Sequence, residues 1–158
     1  MNKTLAKFVL VFMILGLTSC SYSPIFSEKN YNFEINEIVL TGEKDINKIL
    51  REKFNRIKNS QNSEKKEYKL LINSKKERNI VSKNSKGDPL KFELIITVLY
   101  EIIFNENLIL KKTIEKNNIY NNDSDLFKLE QSEKIIIDNI SGNISDNIIS
   151  SIINLDDN

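Results

Sequence analysis

Leu90-Lys91-Phe92-Glu93-Leu94-Ile95-Ile96-Thr97-Val98-Leu99-Tyr100-Glu101-Ile102-Ile103-Phe104 is the stretch that decides the fold. Its even-numbered positions (Leu90, Phe92, Leu94, Ile96, Val98, Tyr100, Ile102, Phe104) are all apolar. Alternation this strict lays one apolar row along one face of a β-strand. The odd positions are mixed: Lys91, Glu93 and Glu101 are charged, Thr97 is polar, and Ile95, Leu99 and Ile103 are apolar. At about 3.3 Å per residue the strand reaches about 50 Å. An apolar face of that length must be covered, and the flanking chain supplies the cover.

On the C-terminal side, Asn105-Glu106-Asn107 reads as a tight hairpin, because asparagine tolerates positive φ. A further strand runs from Leu108 through Ile114 towards Tyr120. On the N-terminal side, the composition of Asn84-Ser85-Lys86-Gly87-Asp88-Pro89 marks a turn. Before it, Tyr68, Leu70 and Ile72 alternate as a strand that continues through a polar middle (Ser74, Lys76, Arg78) to Ile80 and Val81. Phe33 to Leu40 is a first strand, whose change of apolar parity after Ile35 predicts a bulge near Glu37. Ile46, Ile49, Leu50, Phe54 and Ile57 fall on one face at helical spacing, with Asp45 as the expected cap and an end near Lys58. Leu129, Ile136, Ile140, Ile144, Ile148 and Ile152 form the stripe of a long helix from Leu126 to Ile153, with Asp123 and Asp125 at its positive end and Asp156-Asp157 as a solvated tail. The order is β-α-β-β-β-α. Two amphipathic helices need an apolar sheet face, so the predicted fold is α+β: a two-layer sandwich, a four-stranded sheet with both helices packed on one face. The other face keeps Ile95, Leu99 and Ile103. These three fit a partner face, and equally fit scattered surface hydrophobes.

The N-terminus carries a different signal. Lys3 and Lys7 precede ten apolar residues, Phe8 to Leu17. Spanning a bilayer takes about 20, so the run reads as a signal peptide. Leu17-Thr18-Ser19-Cys20 then has the order of a bacterial lipobox, with an ordinary signal peptide and a stray cysteine as the plainer alternative. On the lipobox reading Cys20 is acylated and becomes the first mature residue, and two or more acyl chains anchor a protein stably. Residues 1–19 are then the signal peptide, 20–31 a polar lipidated linker containing Pro24, and 32–158 a single domain.

The mature chain of 139 residues (158 − 19) suits one domain, and 25 isoleucines in the full chain provide ample core. Without Lys3 and Lys7 it carries 21 basic against 22 acidic residues, so nothing suggests a nucleic-acid footprint. Histidine is absent and the one cysteine is committed to lipid, which removes the usual general base, thiolate and zinc ligands. No Gly-rich phosphate loop occurs. The chain is expected to have no catalytic residues, metal or cofactor, and not to be an enzyme.

The mature start Cys20-Ser21-Tyr22-Ser23-Pro24-Ile25-Phe26 resembles the Cys-Gly-Phe-x-Pro-Leu-Tyr opening of the lipopolysaccharide-assembly lipoproteins of the LptE family, in the form found among alphaproteobacteria. Ser21 departs from the usual glycine, within the linker. The element order, the long alternating third strand and the passage from Tyr120-Asn121-Asn122 to Glu130-Gln131 are similar too. The resemblance implies a lipoprotein on the periplasmic side of the outer membrane, anchored through N-terminal acyl chains. Its implied partners are an LptD-type outer-membrane β-barrel, which it plugs and helps assemble, and lipopolysaccharide, whose transport it assists. Members place one basic residue in the turn before the long strand and another at the start of the last helix. The matching positions here are Lys83 or Lys86, and Lys128, as lipopolysaccharide-binding candidates. Without the resemblance, a free-standing periplasmic lipoprotein that binds a ligand or inhibits an enzyme remains the other reading.

Overall fold

The computed structural model describes residues 33–57 and 65–156. Its elements are β1 (Phe33–Gly42), α1 (Lys44–Asn55), β2 (Lys66–Lys83), β3 (Pro89–Phe104), β4 (Asn107–Asn121) and α2 (Leu126–Asp156). The four strands form one mixed sheet in the order β1-β2-β3-β4, with β1 parallel to β2 and the later pairs antiparallel. The fold is the expected α+β arrangement, β-α-β-β-β-α. The described residues belong to one compact unit. The expected signal peptide, Cys20 and the linker to residue 31 lie outside the described residues.

The alternation in β3 decides the layering. Phe92, Leu94, Ile96, Val98, Tyr100 and Ile102 are buried, together with Phe33 and Ile35 of β1 and Tyr68, Leu70 and Ile72 of β2. The helices cover this face with Ile46, Leu50 and Phe54 of α1 and Ile137, Ile140, Ile144, Ile148 and Ile152 of α2. Each such side chain contributes about 1.5–3 kcal/mol by leaving water. The register of β1 against β2 shifts between Ile35 and Glu37, so Asn36 is the bulged residue. That shift turns Ile38 and Leu40 towards the core, where both are partly buried.

At the end of β1 the chain makes a close approach. Gly42 has φ +94°, and a Cβ there would lie 1.9 Å from the Ser74 carbonyl oxygen. The next amide, Glu43, donates to the Ser74 carbonyl (3.2 Å) and to Ser74 Oγ (3.0 Å). Ser74 Oγ in turn donates to Asn47 Oδ1 at 2.8 Å. This knot starts α1 two residues earlier than expected. Glu43, not Asp45, is the N-cap, and its side chain makes no capping bond; Asp45 sits in the first turn. The other helix runs further than expected. Asp156 belongs to α2 and is no solvated tail, because Lys66 Nζ reaches both its carbonyl (3.1 Å) and its carboxylate (3.2 Å).

The two ends of the sheet differ. β1 pairs with β2 only from Lys66 to Ser74, and α1, about 18 Å long, returns over that same half. Beyond Ser74 the sheet is three-stranded, and only α2 crosses it. This accounts for the polar middle of β2. Lys76 and Arg78 point to the helix side past the β1–β2 pairing, where Lys76 lines a cleft beside α1 and Arg78 meets only α2. The β3–β4 turn, with Asn105 and Glu106 both at positive φ, lies level with the start of β2 and does not project. The β2–β3 end alone extends past β1.

Candidate functional site

Ile95, Leu99 and Ile103 all lie on the sheet face away from the helices, half-buried and spaced every fourth residue along β3. Their cross-strand neighbours are Glu77 and Asn117, Asn73 and Thr113, and Lys69 and Leu108, respectively. The register adds residues that the sequence reading missed. Val39 and Leu71 pair with each other beside this row, and Leu108 and Ile119 join it from β4. Between the apolar positions run satisfied polar pairs: Lys69–Glu37 at 2.7 Å, Lys111–Glu101 at 2.7 Å, and Asn73 Nδ2 donating to Thr41 Oγ1 at 2.8 Å. The face is therefore a mosaic rather than a dry hydrophobic surface.

The three candidate lysines gather at the extended end of the sheet. Lys83 closes β2 and Lys86 sits in the turn. Asn84 organises that turn: its Oδ1 accepts from the amides of Lys86 and Asp88, both at 2.9 Å, while Gly87 takes φ +92°. Asn122 ties the turn's exit to the start of α2, donating from its amide to the Leu90 carbonyl (2.8 Å) and from Nδ2 to the Pro89 carbonyl (2.9 Å). Asp125 then caps α2, its Oδ1 accepting from the amides of Phe127 (3.0 Å) and Lys128 (3.4 Å). So Lys83, Lys86 and Lys128 share one end, all exposed, and none is ion-paired among the described residues. Leu126 and Phe127 stand beside Lys128 at 72% and 67% exposure. Ile80, Val81 and Leu90 are exposed at the same end. The tip thus presents lysines and apolar side chains together, with Asp88, Asp123 and Asp125 among them.

Just inside the tip, four elements meet. Arg78 of β2 lies 4.8 Å from the centre of the Phe92 ring of β3, and its Nη1 contacts Glu133 Oε1 of α2 at 2.8 Å. The Tyr120 hydroxyl of β4 donates to the same carboxylate oxygen. Burial pushes the Glu133 carboxyl up, but hydrogen bonds from Tyr120 and Arg78 and the charges of Arg78 and Lys76 outweigh it and hold the group below the usual carboxylate range. Burial first, then Glu133, drives the Tyr120 phenol upward. A carboxyl depressed on folding contributes stability above its unfolded value, near 4.5, that is lost as pH falls through the folded value. Glu133→Gln is therefore expected to cost about 1–2 kcal/mol in urea unfolding at pH 7, since Arg78 is half exposed and its pairing is screened. The gap to the unmodified chain should close below about pH 4.5. A gap that stays constant with pH would contradict the charge pairing.

No protein family matches the chain by sequence, and no curated protein does either. Solved structures match in shape. Rare lipoprotein B of Shewanella oneidensis superposes with a TM-score of 0.55 at 20% identity, over 76% of this chain and 98% of its own. A minor lipoprotein of Acinetobacter baumannii gives 0.51 at 20%, over 75% and 94%. Lipoprotein B of Nitrosomonas europaea gives 0.54 at 18%, over 73% and 81%. The chain has the LptE-like fold. With that fold, the elements bearing the lysines and the β3 mosaic lie in one domain, with the lysines at its end and the mosaic along its uncovered face. Among the described residues no group of three or more His, Cys, Asp or Glu side chains could hold a metal, and no helix is long and apolar enough to cross a membrane.

Proposed function

We propose that this chain is an outer-membrane lipoprotein that occupies and helps assemble an LptD-type β-barrel and assists lipopolysaccharide transport to the cell surface. The observation that carries the reading is an LptE-like fold spanning three quarters of the chain behind the lipobox Leu17-Cys20, with neighbours that are themselves lipoproteins. Cys20 supplies the acyl anchor, and the domain lies on the periplasmic side.

The uncovered sheet face suits such a partner. The lumen of an outer-membrane barrel is polar. A plug resting against it needs polar pairs already satisfied on its own surface, with apolar contacts set among them. Glu37–Lys69 and Glu101–Lys111, interleaved with Leu71, Leu99 and Ile103, have that composition. The tip suits an anionic amphiphile. Lysines act as point charges for lipid-A phosphates, and Leu126, Phe127 and Leu90 offer apolar contact beside them.

Recovery of a barrel with the tagged chain tests the assembly. The lipopolysaccharide contact is tested by changing Lys83, Lys86 and Lys128 together to alanine. All three are exposed, so urea unfolding should move by less than about 1 kcal/mol. Affinity for lipopolysaccharide, measured by fluorescence displacement at 150 mM salt, is expected to fall about tenfold or more. Unchanged affinity in a folded triple variant would remove these lysines from the site.

A further inference from the structure

We propose that the first turns of α2, residues 126–136, form a strap that opens separately from the rest of the domain, with Glu133, Arg78 and Tyr120 as its latch. Four observations converge on it. First, the burial along α2 is uneven. From Ile137 onward Ile137, Ile140, Ser141, Ile144, Ser145, Ile148, Ile149 and Ile152 are buried, whereas the eleven residues before Ile137 bury only Leu129. Ile135 is 59% exposed, and Leu126 and Phe127 are more exposed still. Second, this half of the helix lies ahead of the start of α1 and faces it only across a cleft. Lys53 of α1 reaches Asp146 of α2, and Asp45 at the start of α1 lines one cleft with Asp138, so the two helices run side by side only from about Asp138 onward. Third, that cleft, about 490 Å³, lies between Asp45, Lys48, Ile49 and Glu52 of α1 and Glu130, Glu133 and Lys134 of the strap. Fourth, what holds the strap's centre is polar: Glu133 receives Arg78 and Tyr120 from two different strands.

The Asp125 cap and the Asn122 bonds hold the strap's beginning. Opening is thus a local unwinding between two fixed points, not a swing. Regions with few buried apolar contacts open at lower free energy than the core they adjoin. Glu133 touches Arg78, which pairs with Leu94, and Tyr120, which pairs with Phe92. The strap therefore crosses the sheet above Phe92 and Leu94, both buried now. Unwinding uncovers them and joins them to the exposed Ile80 and Leu90. The result is a transient apolar trough at the tip. The latch follows from the fold and stands whether or not the barrel reading holds.

Amide hydrogen exchange read by mass spectrometry on the full chain in mild detergent tests this. Amides of residues 129–136 are expected to exchange at least about tenfold faster than those of 140–152. Glu133→Gln should speed the strap further, again by about tenfold; Tyr120→Phe, which keeps the ring, gives the same direction should the first variant fold poorly. The decisive variant is Ile144→Val, which weakens the core outside the strap. It should accelerate 140–152 by about fivefold and leave 129–136 unchanged, because the strap opens while Ile144 stays packed. Equal protection of both segments in the unmodified chain, or equal acceleration of both by Ile144→Val, would overturn the strap.

Discussion

Gly42→Ala is expected to destabilise the domain by about 3–5 kcal/mol, a large fraction of the roughly 5–15 kcal/mol that an ordinary domain has. Two costs combine. A left-handed φ of +94° strains any L side chain, and the new Cβ would collide with the Ser74 carbonyl at 1.9 Å. That carbonyl is backbone and cannot rotate away. It also accepts the Glu43 amide that starts α1, so relief in one place breaks the knot in another. Gly87 supplies the control. Its φ is +92°, yet nothing lies within 4 Å of a Cβ there. Gly87→Ala should therefore cost only the strain, about 1 kcal/mol. Urea midpoints of the two variants measure the difference. Equal midpoints would mean that the close approach at Ser74 does not constrain the fold.

The second large effect concerns binding. On the proposed plug reading, Leu99→Glu combined with Ile103→Glu should leave the domain folded while association with the proposed barrel partner drops by more than about a hundredfold. Both residues lie on the face away from the helices and are only half-buried in the isolated domain. Their neighbours, Asn73, Thr113 and Lys69, can accommodate a carboxylate in water. Against a barrel wall the same carboxylates would be stripped of water without partners, a penalty of several kcal/mol. Folding is followed by circular dichroism and association by co-purification from outer membranes. A folded double variant that still recovers the barrel would move the partner surface elsewhere.

Much of this architecture is readable in the residues because the apolar periods are clean. Eight alternating residues in β3 fixed the sheet face, and an isoleucine every three to four residues fixed α2. The parity change between Ile35 and Ile38 located the bulge to within a residue. What stayed hidden depends on pairing between distant segments. Strand order cannot be read from alternation, which is alike for every neighbour. Arg78 and Glu133 are 55 residues apart, so no local pattern joins them. The capping chemistry of Asp45 does not mark the start of α1, because that start is set by Ser74, on another strand. Val39, Leu71 and Leu108 became visible as companions of Leu99 and Ile103 only through the register. The lysines show the converse. Their exposure in the structure was foreseeable, and their gathering at one end follows from the Asn122 bonds.

The plug reading is tested most directly by what the chain carries with it. An affinity tag is placed after Asn158, outer membranes are extracted in mild detergent, and the retained proteins are identified by mass spectrometry. The expected result is a large outer-membrane β-barrel in one-to-one amount. Recovery of the lipoprotein alone, from membranes in which that barrel is intact and abundant, would contradict the reading and favour a free-standing periplasmic lipoprotein with a ligand of its own.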